Sequence, residues 1–378
     1  MRPVALRTTL PLALALLVSC GKKADDPAPK PKEAKATANA EPAPEPEPEP
    51  AGPTAREPLP EEKHFAGLTQ ITYGGENAEA YLSHDESRLV YQATHEGMEC
   101  DQIFTMNLDG TGQTRVSNGK GRTTCAYYLP GDERILYAST HAAADDCLPP
   151  PDRSHGYVWK LYDEFDIYTA TADGSDIQPL VAGPGYDAEA TVSPKGDRIV
   201  FTSTRDGDPE IYGMKTDGSD VVRLTETKGY DGGPFFSPDG TKIIYRANHP
   251  EGEEELAKYE EMISKGLVRP TRLELFVMDA DGGNQTQITE NGKANFAPFF
   301  HPDGKRVIFA SNMDDPKGRN FDLYLIGIDG EGLERVTYND TFDGFPMFTR
   351  DGQKLVFASN RHNAESGDTN IFVADWKD

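Results

Sequence analysis

SPDGTKIIYRANH, starting at Ser237, puts an Asp-Gly pair just ahead of an unbroken apolar run, and the arrangement returns along the chain. SPKGDRIVFTSTR starts at Ser193, HPDGKRVIFASNM at His301 and TRDGQKLVFASNR at Thr349, with weaker copies SHDESRLVYQATH from Ser83 and LPGDERILYASTH from Leu129. Successive starts lie 46, 64, 44, 64 and 48 residues apart. A run apolar on both sides of the pleat belongs to a strand covered on both faces. The Asp-Gly pair supplies the positive φ of a tight hairpin. A basal period of about 45 residues with four strand-sized segments marks a propeller blade, which needs neighbours on both sides to bury its sheet.

A second turn follows the third strand at Asp109-Gly110, Asp173-Gly174, Asp217-Gly218, Asp281-Gly282 and Asp329-Gly330, so six first turns meet only five second turns. The sixth unit stops after NIFVADWKD, three strands into its sheet, while an orphan LTQIT segment at Leu68 to Thr72 precedes the first. The expected fold is therefore an all-β, six-bladed propeller whose last blade is completed by residues 68–72. Such closure removes the exposed sheet edge of an open ring.

These repeats, over about residues 66–378, resemble those of the TolB propeller family. The resemblance implies the fold. The amino-terminal α/β domain of TolB has no counterpart here, so the partner known for that protein does not carry over.

Residues 1–20 read as a lipoprotein signal: Arg2 and Arg7, an apolar stretch from Leu10 to Val18, and LVSC ending at Cys20, the expected lipidation site. Acyl chains there would give durable anchoring without a spanning helix. Residues 21–62, rich in Pro, Glu and Ala, read as a disordered tether reaching on the order of 100 Å. Residues 63–378 form the propeller. The expected location is the outer membrane, facing periplasm or cell surface. A net charge of −25 argues against nucleic acid and anionic membrane surfaces as partners. In an oxidising compartment Cys100, Cys125 and Cys147 should give one disulfide and one thiol, with the pairing open.

The two long periods insert residues 140–164 in blade 2 and 248–272 in blade 4, both on the face opposite the hairpin turns. The first carries Tyr157, Trp159 and Tyr162; the second has Leu256 and Tyr259 at helical spacing, with Gly266 as a stop. Asn77, Thr123, Asp187, Asp231, Asn295 and Asp343 stand at one position before the first strands and are expected to ring the channel mouth on that face. His95, His141 and His249 share a second position and are candidate ligands of a divalent cation, no other cofactor being expected. Neither a G-x-S-x-G elbow, an H-E-x-x-H helix nor a phosphate-binding Gly-rich loop is present. The reading is a monomeric, non-enzymatic envelope protein that binds a protein or extended peptide on the insertion-bearing face. The alternative is a metal-assisted polysaccharide lyase or hydrolase in the channel.

Overall fold

The computed structural model describes residues 52–378 apart from 153, 155 and 364–366. The signal segment, Cys20 and residues 21–51 of the expected tether lie outside the described residues. Among the described residues no helix is long and apolar enough to cross a membrane.

Six antiparallel sheets follow in chain order. Blade 1 holds Glu76–Leu82, Arg88–Thr94, Gln102–Asn107 and Thr114–Arg115, and blade 2 holds Thr123–Tyr128, Arg134–Ser139, Asp166–Thr171 and Gln178–Val181. Blades 3 to 5 begin with Asp187–Val192, Tyr230–Phe236 and Asn295–Phe300 and repeat the pattern. Blade 6 has Asp343–Phe348, Lys354–Ser359 and Asn370–Trp376, and Phe65–Gln70 pairs with the last of these. The ring thus closes with a strand from the amino-terminal side, as the count of turns requires. The apolar second strands are covered on both faces: Val90, Tyr91, Ile199, Phe201, Ile243, Tyr245, Phe309 and Phe357 are all buried.

The ordered domain begins earlier than composition suggests. Thr54–Arg56, expected in the tether, pairs with the closing strand and gives blade 6 a fifth strand. Glu62 is 2% exposed and lies 2.9 Å from Arg361, whose guanidinium also meets Asp343 at 2.9 Å. A buried guanidinium needs counter-charge, and this one draws a segment of tether-like composition into the fold.

The first strand of every blade is interrupted by a bulge. Positive φ there falls on Glu79, Cys125, Glu189, Gly233, Ala297 and Phe345, one per blade.

The insertions of blades 2 and 4 join each other. Trp159–Lys160 pairs with Leu267–Val268, and helix α1 (Gly252–Ile263) precedes the second of these strands. The disulfide Cys100–Cys147 ties the blade 2 insertion to blade 1, leaving Cys125 as the free thiol among the described residues.

Candidate functional site

The register of the first strands sets the channel side chains in three tiers. The tier at the insertion end holds the six polar residues expected to ring the mouth, and they do not face it. Asn77, Thr123, Asp187, Asp231, Asn295 and Asp343 are 0–2% exposed. Each donates its backbone N–H to a carbonyl of the preceding blade, at Thr369, Asp101, Phe165, Pro209, Leu273 and Phe321 respectively. They fasten blade to blade, so a cation-collecting funnel is not built from them. Two of these seams oppose carboxyl to carboxyl. Glu210 faces Asp231, and Asp322 faces Asp343. Burial pushes Glu210 and Asp322 up to about 7 and raises Asp231 and Asp343 as well.

The three histidines stay with their own blades. His95 lies 3.1 Å from Asn77 Oδ1 and against Phe104; His141 lies 2.8 Å from Ser139 Oγ and against Tyr168; His249 lies 2.9 Å from Asp231 Oδ1 and against Phe276. Arg205 and Arg361 occupy the same position and bond Asp187 and Asp343 in the same way. Among the described residues no three His, Cys, Asp or Glu side chains form a group that could hold a metal ion. A shared ion needs all three imidazoles at one point, and each instead bonds a partner in its own blade.

The insertion aromatics also turn inward. Tyr162 is buried and donates to Pro149 O at 2.7 Å, and Tyr259 donates to Asp208 of blade 3 beneath the Lys228 ammonium. Trp159 lies against Tyr230 and Phe296, with the Arg246 guanidinium 5.2 Å from its ring centre. Leu256 is half-buried on α1, and only Tyr157 of the five candidates is exposed, at 64%. A cavity of about 440 Å³ lies between Leu148, the three prolines that follow, Tyr162, Lys265 and Leu267.

The middle tier is made by the bulges. Glu189 accepts from Thr202 and from Arg246, which also bonds the Tyr230 hydroxyl at 2.9 Å. Glu79 bonds the Cys125 thiol, and burial pushes this carboxyl up to about 7 and the thiol well above its ordinary value. Glu79 of blade 1 also feels the charge of Arg246 of blade 4, from the opposite side of the ring, so this tier spans the channel.

The third tier is aromatic. Tyr81 of blade 1 meets Phe235 of blade 4 across the axis at 5.5 Å, flanked by Tyr127 and Phe299. Beneath this plug, on the face of the short hairpin turns, opens a funnel of about 440 Å³. All six blades line it, chiefly through Tyr127, Phe235, Phe299, Met347 and the turn prolines, with His84, Glu86 and Arg350 near its rim.

The TolB β-propeller domain family matches residues 151–266 and 267–378. This chain belongs to that family. Among solved structures, TolB from Acinetobacter baumannii is 17% identical with a TM-score of 0.52, over 80% of this chain and 64% of that one. A protein assigned as TolB in Agrobacterium tumefaciens is also 17% identical, with a TM-score of 0.49, over 80% and 91% of the two chains. An oligogalacturonate lyase in complex with manganese is 13% identical, with a TM-score of 0.49, over 86% and 97%. No curated protein matches the chain significantly. At such identities the likeness is one of fold, and this TolB-type propeller must be read from its own residues.

Sequence reasoning passed over Glu79, Cys125, Glu189, Arg246 and the plug. A signal was present: the bulge residues stand two places after the polar ring, and the plug and funnel residues Tyr81, Tyr127, Phe235, Phe299 and Met347 two places after those.

Proposed function

We propose that this protein is a lipid-anchored envelope protein, held to the membrane through Cys20, whose propeller captures an extended polypeptide segment of a protein partner. The capturing site is the axial funnel rather than the insertion-bearing face. The observation that carries this reading is the funnel itself. Its volume lies within the range of ligand pockets, its wall is aromatic, and its rim is polar. A peptide presenting one large apolar side chain would seat it against Phe235 and Phe299, while Arg350, exposed at the rim, remains near enough to bond its backbone. The insertion end is less suited because its aromatics are spent on covering blades 2 to 4. Family membership supports a binding role over chemistry.

The test is site-specific photocrosslinking in intact cells. A crosslinker at Thr349 is expected to trap one discrete envelope protein, and Phe299→Ser is expected to remove that adduct while one at Tyr157 gives none. An adduct from Tyr157 alone would return the site to the insertions. Cys20→Ala is expected to release the protein from the membrane fraction.

A further inference from the structure

The middle tier contains one arrangement twice, and the second copy lacks a residue. In blades 3 and 4, Glu189 sits in DAEAT (187–191) and is met by Arg246 from the second strand of the next blade. Thr202 donates to Glu189 and accepts from Gly233 N. At Gly233 a Cβ would lie 2.1 Å from an Arg246 nitrogen, so the guanidinium fills the space a side chain would take.

In blades 1 and 2, Glu79 sits in NAEAY (77–81), and Gln92 stands in place of Thr202, accepting from Cys125 N as Thr202 accepts from Gly233 N. Arg246 pairs with Gly232 across its sheet; the residue paired with the matching Thr124 is Ala138. Cys125 occupies the place of Gly233. Among the described residues no Lys, Arg or His stands in an ion pair with Glu79.

Glu79 and Cys125 both keep accessible surface. Tyr186, 7% exposed, lies close enough to Cys125, Glu189 and Arg246 to feel their charges. Glu79, Cys125 and Glu189 also hold φ near +50 to +60°, at φ 52, 52 and 58, a conformation in which glycine would be easier.

We propose that the Glu79–Cys125 half of the channel is a binding site for a guanidinium group supplied from outside the fold, which takes the part Arg246 plays for Glu189. A planar guanidinium can bond a carboxylate through two N–H groups and lie on aromatic faces, as Arg246 does on Trp159 and Tyr230. Tyr81 is the aromatic neighbour of Glu79, and Tyr186 lies beside Cys125. The charged and titratable groups around Glu79 are Cys125, Glu189, Arg246, Asp101 and Tyr81. The plug separates this site from the funnel, so the inference does not rest on the funnel reading.

The test is thermal unfolding and calorimetry of the full chain at pH 8, where Glu79 is ionised, with millimolar methylguanidinium or an arginine-containing tripeptide. Either probe should raise Tm by about 2 °C or more in the wild type. A response to methylguanidinium alone assigns a free small molecule, and a response to both admits an arginine side chain. Glu79→Gln is expected to remove the response. Cys125→Gly combined with Ala138→Arg builds the guanidinium in and is expected to make the protein unresponsive; should that variant not fold, Glu79→Gln decides. No shift with either probe, or an equal shift in Glu79→Gln, overturns the proposal.

Discussion

The two ends of this propeller are built by opposite means. At one end lie long insertions, a helix, a disulfide and buried carboxyls; at the other lie short Asp-Gly turns and an apolar funnel. The insertions carry the conspicuous sequence, yet Trp159, Tyr162 and Tyr259 are used to fasten them down. The funnel arises from variation at a single repeat position, where Tyr81, Tyr127, Thr191, Phe235, Phe299 and Met347 stand. Departures from a repeat in length and departures in side chain at fixed length are therefore separate signals, and here the second makes the axial funnel.

The sharpest way to break this contrast is to untie the insertion end. Cys100 and Cys147 are 47 residues apart in sequence. Closing a loop of that length restricts the unfolded chain by about 4 kcal/mol. Replacing both with Ser is expected to lower the Tm by several degrees under oxidising conditions while partner crosslinking at the funnel persists. Loss of crosslinking would show that the two ends act together.

At the funnel end the expected loss is slightly smaller and functional as well. Phe235→Ala removes the ring that meets Tyr81 across the axis and should cost about 3 kcal/mol, by lost burial and the cavity left behind. Denaturant unfolding measures the stability loss, and crosslinking at Thr349 should disappear. Phe299→Ser serves as the binding control.

How far each end could be read from sequence follows from the reach of its contacts. The Asp-Gly turns and apolar runs are local, and the closing strand was countable because six first turns met five second turns. Glu62 was not readable, since its partner Arg361 is 299 residues away. The polar ring was found at the right positions but given the wrong surroundings: strand periodicity cannot tell a channel-facing side chain from one bonded into the seam with the next blade. Bulges shift that periodicity at Glu79, Cys125 and Glu189, which hid the middle tier.

The carboxyl seams near the insertion end predict how stability changes with pH. Glu210 and Asp322 keep their protons up to about pH 7 in the folded protein, whereas unfolded they release them near their ordinary values of 4.5 and 3.8. Between those limits the folded state binds more protons, so stability falls as pH rises, the contribution being complete below about 4 and lost above about 7. His249, raised mainly through its bond with Asp231 against the effect of burial, adds the same sign, present below 6.5 and lost as pH rises past its folded value. His95, His141 and His301, lowered by burial, oppose it below 6.5. Tm is therefore expected to rise by a few degrees from pH 8 to about 6.5. Glu210→Gln, which can donate to Asp231 without a proton, should flatten the slope, and an unchanged slope would discount this seam.

The smallest expected effect divides the insertion end itself. Tyr259→Phe deletes the hydroxyl that binds Asp208, which keeps Lys228 and the N–H of Gly229 as partners. Because Asp208 is 6% exposed, losing one of three partners should cost about 1 kcal/mol rather than the larger penalty of an abandoned charge. Tyr157→Ala, at an exposed position, should stay within about 0.5 kcal/mol of wild type. Hydrogen exchange across residues 252–263 distinguishes the two: Tyr259→Phe should speed exchange in α1, because this bond pins a helix that has no buried residue of its own. Equal exchange in both variants would mean that the paired strands at Trp159 and Leu267, not Tyr259, hold the helix in place.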